Sequence, residues 1–210
     1  PSHIECFDMS NIQGTNTVAA CVVFMNAKAS KSNYRKYNIK SVSGPNDFAS
    51  MEEVVFRRYR RLIDEKKALP QLIVIDGGKG QLSSAVKSLK KLNIENKVTI
   101  IGIAKRLEEI YFPGDSIPLY LNKKSESLKI IQNLRNEAHR FGIEFHKSKR
   151  VKNAMTSIFD NIDGVGEKTK NKLLKKYKSL AMIKKLSFEE IKGEIGSDKA
   201  KKILEAFEKI

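Results

Sequence analysis

Apolar positions recur along this chain first at the spacing of strands and then at the spacing of helices. Residues 4–9 (IECFDM) alternate loosely, 11–14 (NIQG) read as a turn, and 17–25 (TVAACVVFM) form a nearly unbroken apolar, β-branched run. Such a run predicts a strand buried on both faces. Residues 26–32 are polar and turn-like, and 34–42 (YRKYNIKSV) alternate again as a third strand. The short connections predict an antiparallel meander. Residues 44–47 (GPND) then turn the chain. Asn46 or Asp47 is placed to cap a helix on which Met51, Val54, Val55, Arg58, Tyr59 and Leu62 follow at helical spacing.

Residues 72–76 (LIVID) predict a buried strand ending in a carboxylate. Residues 77–80 (GGKG) lead into a helix carrying Leu82, Ala85, Val86, Leu89 and Leu92, and 98–103 (VTIIGI) are a further strand. The order β-β-β-α-β-α-β predicts an α/β fold, a mixed sheet with flanking helices and an antiparallel edge meander. Residues 109–121 read as a short hairpin, and 125–147 as a long helix with Leu128, Ile131, Leu134, Ala138 and Phe141 on one face. After 148–152 (SKRVK) the strand-like runs stop and short helical segments with glycine turns take over. This shift predicts a basic linker and two modules, residues 1–152 and a small all-α module at 153–210.

Composition narrows the function classes. The 210 residues carry 40 Lys+Arg against 24 Asp+Glu, a net charge of +16, with 40% apolar residues. That apolar share supports a packed core. The charge points to a polyanion, with nucleic acid the leading partner. No run approaches the ~20 apolar residues of a membrane-spanning helix, so the reading includes no membrane. Cys6 and Cys21 are too few for a disulfide scaffold or a zinc ribbon. The chain begins at Pro1 and shows no signal peptide, which reads as a piece of a longer intracellular protein.

Three constellations carry chemistry. Asp8 stands on or at the end of the first strand, and Asp76 at the carboxyl end of the central one, where open α/β sheets collect ligands. Two converging carboxylates require a cation or a proton between them, and Mg²⁺ or Mn²⁺ suits such a site. His139, at the margin of the long helix's apolar face, adds a ligand or a proton-handling group. Asp at a strand end equally serves as a turn former or helix cap, and His139 beside Arg135 and Arg140 equally reads as a solvated residue. The second constellation is 76–81 (DGGKGQ), which lacks phosphate-loop spacing. Its glycines and the helix start behind them suit a phosphodiester, with Lys79 as a counter-charge. The bland alternative is a tight strand-to-helix turn.

The third constellation is a pair of helix–hairpin–helix patterns. Gly164-Val165-Gly166 precedes a helix bearing Lys168 and Thr169, and a degenerate copy carries Gly193, Gly196 and Lys199. Amides exposed at such hairpins bind DNA phosphate without reading bases. Glu194 weakens the second copy. A helical protein-interaction bundle with glycine turns is the alternative.

Phe7-Asp8-Met9-Ser10, Arg57-Arg58-Tyr59, residues 75–82 (IDGGKGQL) and residues 135–141 (RNEAHRF) occur in an order that resembles the C-terminal half of the UvrC family, nuclease subunits of bacterial nucleotide excision repair. The resemblance covers essentially the whole chain. It implies an RNase H-like endonuclease fold followed by a tandem helix–hairpin–helix domain, and a catalytic triad falling on Asp8, Asp76 and His139. Asp47 matches an acidic position that matters in the family, although helix capping explains it equally. The implied activity is metal-dependent incision 5′ of a lesion, leaving a 3′-hydroxyl and a 5′-phosphate. The implied setting is the bacterial cytoplasm, with double-stranded DNA carrying a lesion or bubble as substrate. The partner would be UvrB of the UvrA–UvrB system, bound through a segment preceding this stretch. Arg57, Arg58 and Arg140 are further candidate phosphate contacts. A non-catalytic DNA scaffold and a protein-docking module are the competing classes.

Overall fold

The computed structural model describes residues 1–10, 17–42, 44, 46–104, 109–160, 162–177 and 180–208. The expected turn at 11–14 lies outside them. The chain divides into two compact units, Pro1–His146 and Lys147–Ile210.

The first unit is built on a mixed sheet. Its strands are β1 (His3–Ser10), β2 (Val18–Met25), β3 (Lys28–Ala29), β4 (Arg35–Asn38), β5 (Leu72–Asp76), β6 (Thr99–Ala104) and β7 (Glu109–Tyr111). The order is β3-β2-β1-β5-β6-β7, with β4 also on β2. β1, β5 and β6 run parallel in the centre, while β2 and β7 flank them antiparallel. The expected meander is present, its third strand shortened to β4, with a further two-residue strand, β3, inside the stretch 26–32 expected as a turn. β3 follows the Asn26-Ala27 turn, where both residues take positive φ as a tight hairpin requires. A 3-10 turn at Lys31–Asn33 then shifts the chain into β4. The hairpin expected at 109–121 closes through reciprocal backbone bonds between Ile110 and Leu119.

Two helices, α1 (Asp47–Asp64) and α2 (Lys79–Lys91), cover one face of the sheet. Their apolar stripes meet Phe7, Ala19, Ile73 and Ile75 in one core. The Asn46 side chain caps α1 by accepting the Ala49 amide at 3.0 Å, so Asp47 is the first helical residue and not the cap. The other face packs Cys6, Val22, Val74 and Ile103 against Ile131, Leu134 and Ala138 of α3 (Glu126–Asp160). Burying each large apolar side chain in these layers contributes about 1.5–3 kcal/mol.

α3 runs without a break through 148–153, so the expected basic linker is helical. That stretch has no proline or glycine, and Lys and Arg are good helix formers. The second unit continues with α4 (Glu167–Tyr177), α5 (Leu180–Ile183), α6 (Phe188–Ile195) and α7 (Ser197–Glu208). Its core gathers Phe159, Ile162, Val165, Leu173, Ile183, Ile203 and Phe207.

Candidate functional site

Strand register brings the carboxylates together. β1 and β5 pair in parallel with Asp8 opposite Asp76, and directly opposed residues share a face of the sheet. That face is the one under α3, because Cys6, two residues before Asp8, packs with Leu134 and Ala138 in the same core. His139 follows Ala138, and its Nδ1 stands 3.5 Å from Asp8 Oδ2. One ligand atom from each of Asp8, Asp76 and His139 lies within 4.8 Å of the others. Asp8 and Asp76 are 1% and 5% exposed, whereas the His139 side chain is 48% exposed. The trio therefore joins two buried charges to one imidazole open to solvent.

The donor set fits a hard divalent cation: two carboxylates held side by side in a nearly dry site, with an imidazole completing one side. Cys6 is not a competing soft ligand. Burial pushes its thiol well above the ordinary thiol range, and the charges of Asp76 and Asp8 push it further, so it stays protonated.

The carboxylates open into a cleft of about 940 Å³ walled by Asn46, Asp47 and Phe48 from the start of α1 and by Gly78 and Gln81 from the start of α2. Two helix N-termini thus border the cleft, each favouring an anion. Asp47 lies in this wall, lining the cleft with Asp8 and Asp76. Lys79 does not. Its Nζ donates to the Ser116 carbonyl at 2.6 Å and sits over the Tyr111 ring, lining a separate groove with Phe112 and Asp115. Arg58 is withdrawn from any phosphate role, because it is buried and donates through Nε and Nη2 to the Glu5 carboxylate at 3.1 and 2.5 Å. Arg57 bonds Glu53 and the Asn38 carbonyl, and Arg140 bonds Glu137 and Glu144.

In the second unit residues 162–166 turn the chain from α3 into α4. Gly164 takes φ +84°, Val165 is buried in the core, and the Gly166 carbonyl accepts the amides of Thr169 and Lys170 at the start of α4. The amides of Glu167 and Lys168 precede those bonds, as at any helix start. Lys168 is exposed. Lys199 of α7 donates to Thr169 Oγ1 at 3.3 Å, and Lys202 to the Asp163 carbonyl at 3.1 Å, so both hairpins contribute to one surface. The second copy differs from expectation. Gly193 lies inside α6, and the turn rests on Gly196 alone, at φ +86°. Glu194 takes the place of a hairpin glycine; its carboxylate pairs with Lys176 and its carbonyl accepts from Lys172.

Residues 1–143 match the family model described as the UvrC RNase H endonuclease domain. The chain belongs to the UvrC family. UvrABC system protein C of Flavobacterium psychrophilum is 63% identical over 210 residues, covering 100% of this chain and 35% of that protein. The Christiangramia forsetii protein of the same name is 66% identical over 200 residues, covering 95% of this chain and 34% of its own. The chain thus spans about a third of the length of these UvrC relatives. Among solved structures, Ciona intestinalis endonuclease V in complex with an inosine-containing DNA aligns at TM-score 0.36 and 23% identity, over 65% of this chain and 56% of that one. The mixed sheet with flanking helices is the RNase H-like architecture expected of a UvrC chain.

Of the residues singled out in the sequence, Asp8, Asp76 and His139 come together as one group, and Asp47 lines the cleft that Asp8 and Asp76 share. Phe48 of that cleft was not among the candidate site residues of the sequence. Phe48 falls outside the apolar stripe from Met51 to Leu62: it is 56% exposed, while Met51, Val55 and Leu62 are buried. An aromatic directly after a helix-start Asp was the available signal.

Proposed function

We propose that this chain is the part of a bacterial nucleotide excision repair nuclease that incises DNA 5′ of a lesion by metal-dependent phosphodiester hydrolysis. The observation that carries the reading is the meeting of Asp8, Asp76 and His139 within 4.8 Å at the carboxyl ends of two parallel strands. Asp8 and Asp76 would hold Mg²⁺ or Mn²⁺, with His139 beside them. When bound, such an ion activates water and stabilises negative charge on the phosphate. With Nδ1 3.5 Å from Asp8 Oδ2, the His139 imidazole would complete the metal site beside the two carboxylates. The N-termini of α1 and α2 favour the phosphate at the cleft. Hydrolysis would leave a 3′-hydroxyl and a 5′-phosphate.

The hairpins of residues 153–210 would grip the DNA backbone through Gly164, Val165, Gly166, Lys168, Thr169, Gly196 and Lys199. Family membership supports the nuclease half of this division, residues 1–143. Lesion or bubble DNA would be delivered by the UvrA–UvrB system, with UvrB bound by other parts of the protein. The decisive experiment is incision of bubble DNA in Mn²⁺ by the reassembled repair system. Asp8→Ala and His139→Ala should each lower the rate at least about 100-fold while DNA binding survives. Retained incision would reduce the chain to a DNA scaffold.

A further inference from the structure

Phe48 is an aromatic ring left 56% exposed in a cleft otherwise lined by carboxylates, amides, glycine backbone and the apolar Met9 and Ala104. Scattered exposed apolar residues need no explanation. This one is held in place. Its ring lies against the backbone of Gly80, and a methyl group built on Gly80 would stand 2.8 Å from Phe48 Cζ and closer still to Cε1. Only glycine at position 80 leaves the ring where it is. Asn46, two residues earlier, fixes the start of α1 through its bond to the Ala49 amide, so the turn that carries Phe48 is also anchored. The ring shares its cleft with Asp8 and Asp76.

We infer that Phe48 is the stacking platform for one nucleobase of the incised strand, adjacent to the scissile phosphate. The inference rests on the nuclease reading above. A strand that delivers a phosphate to Asp8 and Asp76 passes Phe48, and each base offers a flat apolar face that stacks on an aromatic ring. The ring reads no hydrogen-bond pattern, so it accepts any base. That suits a nuclease directed, as proposed above, by a lesion and not by sequence. Phe48 is a positioning residue: it holds the nucleotide, and the carboxylates and imidazole act on the phosphate.

The test is an abasic scan. A bubble duplex carries a single abasic residue, moved one position at a time, and its binding to the chain is measured with Ca²⁺ in place of Mn²⁺. Wild type should lose affinity at one position, by roughly five- to a hundred-fold. Phe48→Ala should bind intact DNA as weakly as wild type binds that abasic DNA, with no further loss when the two are combined. Phe48→Tyr should restore wild-type behaviour. Gly80→Ala should weaken binding only while Phe48 is present. A flat scan on DNA that still binds, or losses that simply add, would overturn the stacking role and leave the nuclease reading intact. Absence of DNA binding altogether would overturn both.

Discussion

Glu5 shows how one residue constrains both stability and function. It is fully buried and accepts hydrogen bonds from Arg58, from the Tyr59 hydroxyl at 3.1 Å and from His3 at 3.1 Å. Burial raises its pKa, but the bonds from His3 and Arg58 outweigh burial and hold it below the ordinary 4.5. A carboxylate lowered in the folded state stabilises above its unfolded pKa and loses that contribution as pH falls. Acid unfolding below about pH 4.5 should therefore be less steep in Glu5→Gln than in wild type, which pH-dependent melting would show. Arg58→Met alone should cost about 3–5 kcal/mol by leaving a buried carboxylate uncompensated, and Glu5→Leu combined with Arg58→Met should recover most of it. Urea unfolding of the three variants decides this. The buried thiols give a second expectation. Cys6 and Cys21 are both pushed up by burial, so a maleimide should label neither until the protein unfolds. The sequence put Arg58 on the apolar side of its helix but gave no sign of Glu5, because a partner 53 positions away is a product of folding.

Elements were legible where the hydrophobic period was strong. The runs at 17–25 and 72–76 became β2 and β5, and the stripe from Met51 to Leu62 became α1. Where tertiary context decides, the reading slipped. The alternation at 34–42 extends past β4 because only Arg35–Asn38 finds partners on β2. The basic stretch after 147 looked like a linker because its charge was more visible than its helix propensity. The glycines separate by the same logic. Gly193 lies inside α6 with open space around its Cα, so Gly193→Ala should stabilise by about 0.5–1 kcal/mol and leave DNA binding unchanged. Gly164, at φ +84°, holds the first hairpin, and Gly164→Val should weaken DNA binding and leave Mn²⁺ affinity intact. Thermal melts, DNA titration and calorimetry distinguish the two.

At the scale of the molecule, the proposed nuclease role, a net charge of +16 and two modules together predict contact with DNA at more than one point. Its affinity should fall steeply with salt, by a slope of about −0.9 per phosphate neutralised, and a flat response would favour a protein-docking role for the hairpins. The candidate site was legible because motif order named Asp8, Asp76 and His139, although sequence alone left each with an ordinary structural explanation. Folding removes that ambiguity for their position by pairing two strands in register and laying one helix over them. Mn²⁺ soaked into crystals of the chain and located by its anomalous scattering tests the account most directly. A peak in contact with Asp8, Asp76 and His139 together is the predicted result. A peak bound elsewhere, or no peak at the carboxylates at saturating Mn²⁺, would contradict it.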